Sequence, residues 1–264
     1  MPFKVFTICI YIFIILISAF FLESYAGTDN LSQPIKPKIE RIAIDPGFGG
    51  EDFGAPSCKE GVYAKDINLA IAKKLADKIK QRLGLDIIMT RTEDEFVSLD
   101  QRTSIANKEN SDLFISIHCN AHENQEMYGI ETYYLNMVID ENAIELAARE
   151  NATSDKNITD LQGILSDLIL NMSIDESHHF ANNVHGFLYQ YLKGKHSFVK
   201  DRGVKQAPFY VLIGTQMPSI LIEASFISNP RECERLLSDN YQNDIADGIL
   251  NGLKNFIKAR ESEK

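Results

Sequence analysis

The chain has no tryptophan, and only four cysteines and eight prolines among its 264 residues. Beyond Cys9 near the N-terminus, the cysteines are Cys58, Cys119 and Cys233, an odd and scattered set. That excludes a disulfide-framed small domain and leaves either one pair or three free thiols. Positive charge is short as well: 27 Lys and Arg stand against 37 Asp and Glu, for a formal net charge of -10. A nucleic-acid backbone would be repelled by that balance unless a local basic patch existed. The one basic cluster spans 193–205, with Lys193, Lys195, Lys200, Arg202 and Lys205, but Gly194 and Asp201 interrupt it. It reads as a solvated loop. There is no internal repeat and no low-complexity segment.

Long apolar runs are absent except at the start. Residues 5–22 carry no charge, Lys4 precedes them, and Ser24 and Ala26 supply the small residues that a signal peptidase prefers. Residues 1–26 therefore read as a secretory signal peptide, or as a single membrane anchor if they stay attached. Either way the rest of the chain is expected outside the cytoplasm, in the periplasm or cell envelope of a bacterium. Residues 27–39, with Pro34 and Pro37, read as a linker, and 40–261 as one domain.

What is present in that domain is an alternation of short apolar runs and amphipathic stretches. Runs at 41–45, 86–90, 113–117, 130–135, 208–213 and 219–223 read as strands. Between them, 65–83 places Leu69, Ala72, Leu75, Ala76 and Ile79 at helical spacing, and Gly84 ends it. Ser98 can cap a helix over 99–110. Stretches 177–192, 231–237 and 241–259 are helical by the same test. The acidic stretch 140–171 reads as a solvated surface helix pair. The pattern predicts an α/β fold, a single domain with a mostly parallel twisted sheet of about six strands flanked by helices.

Ligands of such sheets bind outside the carboxyl ends of the strands. Three apolar runs end on polar groups there: Asp45, His118 and Glu223. A carboxylate closing a run as apolar as Pro218-Ser-Ile-Leu-Ile222 needs a partner, a metal or a raised pKa. An imidazole and a carboxylate at neighbouring strand ends suit metal-assisted hydrolysis, with the carboxylate as general base.

Several blocks carry a resemblance. They are Ile44-Asp-Pro-Gly-Phe-Gly-Gly50, Lys65-Asp-Ile-Asn-Leu-Ala-Ile71, Thr90-Arg-Thr92, Phe114-Ile-Ser-Ile-His-Cys-Asn-Ala121 and Gly129-Ile-Glu-Thr-Tyr-Tyr134. Asp201-Arg-Gly-Val-Lys-Gln-Ala-Pro-Phe-Tyr-Val-Leu212, Met217-Pro-Ser-Ile-Leu-Ile-Glu223 and Phe226-Ile-Ser-Asn-Pro230 complete the set. In this order the blocks resemble the zinc-dependent N-acetylmuramoyl-L-alanine amidases of bacterial cell-wall remodelling. The resemblance implies a substrate, peptidoglycan, cleaved at the amide between N-acetylmuramic acid and L-alanine. It implies His118 as a zinc ligand and Glu223 as the catalytic carboxylate that activates water. Two further family ligands, a loop histidine and a glutamate before the first helix, fall on Phe48 and Ala64. Neither a phenyl nor a methyl group can bind a metal, so zinc becomes doubtful and catalysis is expected to be impaired. Glu51, Asp52, Cys58, Cys119 and His122 are the nearby candidates for replacement ligands, and Cys119 should face away from His118. An impaired domain could bind peptidoglycan, or regulate a true amidase or another cell-envelope partner. The alternative is an active zinc amidase in cell-wall turnover or cell separation using replacement ligands. A third, less specific reading is an exported α/β protein with an unrelated small ligand in the same cleft. The acidic stretch 140–171 lies where some family members carry a segment that covers the active site.

Overall fold

A computed structural model describes residues 38–136, 141–152 and 173–262. The expected export signal or anchor over 1–26, most of the expected linker over 27–39, and residues 140 and 153–171 of the acidic stretch lie outside the described residues. In chain order the elements are β1 (Arg41–Pro46), α1 (Ala64–Leu83), β2 (Asp86–Met89), α2 (Leu99–Lys108), β3 (Leu113–Asn120) and β4 (Ile130–Tyr134). They continue with α3 (Glu141–Glu150), α4 (Ser173–Lys195), β5 (Asp201–Gln206), α5 (Tyr210–Ile213), β6 (Ser219–Phe226), α6 (Pro230–Leu236) and α7 (Asp239–Ser262).

The strands form one six-stranded sheet in the order β2-β1-β3-β6-β4-β5. All neighbours are parallel except β6 and β4, which are antiparallel. β3 and β6 are buried along their whole length, as expected of central strands covered on both faces. Strand alternation sorts their side chains cleanly. Ile42, Ile44, Ile115, Ile117, Cys119, Ile220 and Ile222 face one core with residues of α1, α4 and α7. Ala43, Phe114 and Leu221 face the other, with residues of α2, α3 and α5. By that same alternation Asp45, His118 and Glu223 fall on the second face, and Cys119 falls on the opposite one. The chemistry therefore lies under α3.

The predicted helices form where the apolar spacing placed them. α1 ends on Gly84 in the left-handed conformation, whose N–H bonds the Lys80 carbonyl. α2 starts with a full capping box between Ser98 and Gln101. Two expectations fail. Residues 208–213 are no strand; Tyr210–Ile213 make one short helix, buried on every side. A short apolar run without polar alternation does not distinguish strand from buried helix. The sixth strand is instead β5, Asp201–Gln206, which carries almost no apolar signal. This also corrects the solvated basic loop: Lys193 and Lys195 end α4, while Arg202 and Lys205 lie on β5 and pair with Glu131 at 2.6 and 2.8 Å. A polar edge strand is legible only from its partners.

Candidate active site

β3 and β6 lie in register with His118 opposite Glu223, and β4 and β6 with Glu131 opposite Glu223. One row across the sheet thus carries an imidazole and two carboxylates. β3 runs on to Asn120, so His118 sits inside the strand rather than at its end, with a register shift just beyond it. The loop after β1 fixes the imidazole from one side. A Cβ on Gly47 would come within 2.3 Å of the His118 ring, so only glycine allows this approach. Next to it, Phe48 adopts a positive φ of 63° and packs edge-on against His118, with ring centroids 4.8 Å apart. The phenyl ring is also why Gly54 is needed, since a Cβ there would meet it at 2.2 Å. Ala64 opens α1 and is fully buried. The two positions that lack ligand atoms are therefore filled by packed apolar groups.

On the other side stands a residue that the sequence reading did not single out. Glu150, the last residue of α3, brings Oε2 to 3.0 Å from His118 Nδ1. His118, Glu150 and Glu223 are all buried, and one ligand atom from each lies within 4.8 Å of the other two. Among the described residues this is the group of His, Cys, Asp and Glu side chains that can hold a metal ion. Its inward atoms are orphaned. His118 Nδ1, Glu150 Oε2 and both Glu223 oxygens have no hydrogen-bond partner, the 3.0 Å approach lacking hydrogen-bond alignment. Buried polar atoms are rarely left so. Burial, with Glu150 and Glu131 nearby, pushes the Glu223 carboxyl well above the usual carboxylate range.

The signal for Glu150 was present but ambiguous. Ala143, Leu146, Ala147 and Glu150 share one helical face, and all four are buried. The described part of the acidic stretch is therefore not a solvated helix, as expected from its charge, but a cover on the sheet. Arg149 reinforces it, donating to the Ala121 carbonyl at 2.8 Å and to Asn120 Oδ1 at 3.0 Å. Asn151, just beyond, bonds the Pro208 carbonyl and the Tyr210 N–H, both at 2.9 Å.

None of Glu51, Asp52, Cys58, Cys119 or His122 joins the metal-type group. Asp52 comes nearest, lining the same small cavity as Phe48, His118 and Glu150, a space of about 10 Å³ that suits about one water. Glu51 is exposed, and the His122 ring accepts from the Asn124 N–H at 2.9 Å. Beside the site an open cleft of about 380 Å³ is lined by Asn120, His122, Glu131, Arg149, Arg202 and Lys205 among others. Glu131 organises it, accepting from Asn120, Tyr133, Arg202 and Lys205 at 2.6–2.9 Å. Burial alone would raise its pKa, but Lys205, Arg202 and Tyr133 outweigh it and hold the carboxyl below its ordinary value.

Comparisons with known proteins agree with this geometry. The family model described as N-acetylmuramoyl-L-alanine amidase matches residues 42–255. The chain is 34% identical to the N-acetylmuramoyl-L-alanine amidase AmiA of Salmonella typhimurium over 87% of its own length and 82% of that protein's. It is 33% identical to the uncharacterized protein YqiI of Bacillus subtilis, over 85% of this chain and 87% of that one. Among solved structures, the N-acetylmuramoyl-L-alanine amidase from Clostridium difficile 630 superposes with a TM-score of 0.66 at 31% identity, covering 84% of this chain and 99% of that one. The chain belongs to the N-acetylmuramoyl-L-alanine amidase family.

Proposed function

We propose that this protein is a peptidoglycan-directed member of the family whose amidase chemistry is impaired. The observation that carries the reading is the paired Phe48 and Ala64 at family zinc-ligand positions, with Glu150 seated against His118 in their stead. His118, Glu150 and Glu223 fit a divalent cation, being a buried set of nitrogen and oxygen donors with orphaned inward atoms. Zinc bound there would supply a Lewis acid and would satisfy those atoms. It would also take up Glu223, the carboxylate needed as general base, and Glu150 would lie where an open catalytic position is required. Withdrawing Glu150 would free the position but leave His118 as the remaining non-base donor. In both arrangements one requirement of the hydrolysis is missing. Under this reading α3 closes the site, and what remains is recognition through the neighbouring cleft, with peptidoglycan, or through a cell-envelope regulator or a true amidase as partner. Export follows from the character of residues 1–26 and from the cell-wall substrate of the family. Among the described residues no helix is long and apolar enough to cross a membrane.

Zinc content and stem-peptide release from purified sacculi test this together. The expected result is no measurable release by the natural chain. Partial recovery is expected when Phe48→His is combined with Ala64→Glu. Robust zinc-dependent release by the natural chain would overturn the reading. It would favour the second one, an active amidase with Glu150 as a replacement ligand, which the orphaned carboxylates support. Glu150→Gln separates the two. It should abolish zinc binding and activity in the second case and leave the inactive protein inactive in the first.

A further inference from the structure

Cys58, Cys119 and Cys233 are all reduced, and all belong to or pack on the same core beneath β3. Two of them lie near each other although far apart in sequence. Cys233 is close enough to raise the Cys58 thiol's pKa, and the neighbouring Ser57 hydroxyl lies 3.5 Å from Cys233 Sγ. The backbone holds them there: the Cys58 N–H donates to the Ile227 carbonyl at 3.1 Å, just past β6, and Cys233 is fixed in α6, its N–H bonded to the Asn229 carbonyl at 2.8 Å. Cys58 is half-buried while Cys233 and Cys119 are buried. The loop that carries Cys58 connects the Phe48 turn to Ala64 at the start of α1.

We propose that Cys58 and Cys233 are a modification site, a dithiol that oxidises to a disulfide and pins the loop over 51–63 to α6. The oxidant is a disulfide, either a low-molecular one such as oxidised glutathione or that of a thiol–disulfide exchange protein. The partly exposed Cys58, as its thiolate, attacks one oxidant sulfur, forming a mixed disulfide and expelling the other sulfur as a thiolate. Cys233 then loses its proton and attacks the Cys58 sulfur, closing the bridge and expelling the second thiolate. Two protein thiols are oxidised, one oxidant disulfide is reduced to two thiols, and the two protons pass to the products. Cys119 is excluded because burial, together with Glu223, Glu232 and Cys233, pushes its thiol well above the ordinary value and no reagent reaches it.

Burial and the contact with Cys233 push the Cys58 thiol up to about 11, with Glu234 reinforcing and Lys59 opposing. The first step is therefore slow at neutral pH and quickens about tenfold per pH unit up to that range. The device suits a long-lived exported chain that meets an oxidising medium once, and it is independent of whether the site binds zinc.

The test treats the purified full chain with oxidised glutathione, then measures mass, free thiols and the cross-linked peptide under non-reducing digestion. The expected product is a monomer lighter by two hydrogens, with Cys9 and Cys119 still free thiols and a peptide joining Cys58 to Cys233. Its Tm should rise and fall back on reduction, because a bridge spanning so much sequence restricts the unfolded chain. Cys58→Ser, which changes a partly exposed atom, should remove both the mass change and the Tm shift. Survival of both Cys58 and Cys233 as thiols after prolonged oxidation would overturn the proposal, as would a bridge that includes Cys119 or a dimer linked through Cys58.

Discussion

Two clusters of buried charge sit on neighbouring strands and differ in one respect. At the end of β1, Asp45 accepts from Thr90 at 2.6 Å, Arg102 at 2.8 Å and Ser116 at 2.7 Å. Arg102 also donates to the Pro46 and Phe48 carbonyls, both at 2.7 Å, and Arg91 to those of Pro46, Gly47 and Lys65 at 2.8–3.0 Å. Every charge there is satisfied, and the network holds the Pro46-to-Gly50 loop in shape. Within β3 and β6, His118 and Glu223, with Glu150 from α3 against them, present four atoms without hydrogen-bond partners. Buried polar groups that are fully paired stabilise a fold, whereas unpaired ones cost stability and persist where something else is served. The first cluster is fully paired, and the second is where a bound ion would find free donors. Asp45 and Glu223 both looked like site residues in the sequence, and only their partners separate them.

The comparison can be broken most forcefully at Asp45. Asp45→Asn leaves the buried Arg102 without its counter-charge and should destabilise the fold by about 3–5 kcal/mol in denaturant unfolding. The pH dependence has a definite sign. Burial would raise the Asp45 pKa, but Arg102, Thr90 and Ser116 outweigh it and hold it below the ordinary value. A depressed folded pKa contributes stability that is complete above the unfolded pKa and is lost as pH falls through the folded one. The gap between the natural chain and Asp45→Asn should therefore be constant from neutrality down to about pH 5 and close below about pH 4. A gap that stays constant into acid would contradict that pairing.

The opposite sign is expected at the site. Glu223→Met, similar in size and without unpaired oxygens, should leave stability unchanged or raise it by about 1–3 kcal/mol in metal-free buffer. Repeating the measurement with zinc sharpens the point. If the natural chain then gains stability that Glu223→Met does not, the three donors bind the ion.

The smallest effect comes from the end of α2, which delivers Arg102. Ser98→Ala removes its capping box and should cost about 1 kcal/mol by thermal unfolding. A much larger loss would mean that the cap also positions Arg102, whose Nε donates to the Val97 carbonyl at 2.8 Å.

Much of this was legible in order along the chain. Apolar runs and helical spacing are local, so β1, β3, β6, α1 and α7 were found close to where they lie. His118 and Glu223 were legible because a polar group ending an apolar run is anomalous wherever the run folds. What resisted reading was whatever depends on a partner distant in sequence. β5 is polar and becomes a strand only through β4 and the ion pairs with Glu131. Residues 208–213 are apolar throughout and carry no periodicity to choose helix over strand. Glu150 lies within an acidic stretch that looks solvated until α3 packs on the sheet.

Residue identity and spacing along the chain were enough for the α/β alternation and for the polar groups His118 and Glu223 set in apolar runs, because those signals are local. Only the tertiary structure set Phe48 and Glu150 against His118, brought the Cys58 loop against Cys233, and gave Asp45 a full set of hydrogen-bond partners. Each of these is a contact between segments far apart in the chain, and whether a buried charge is paired or orphaned is set by the packing around it.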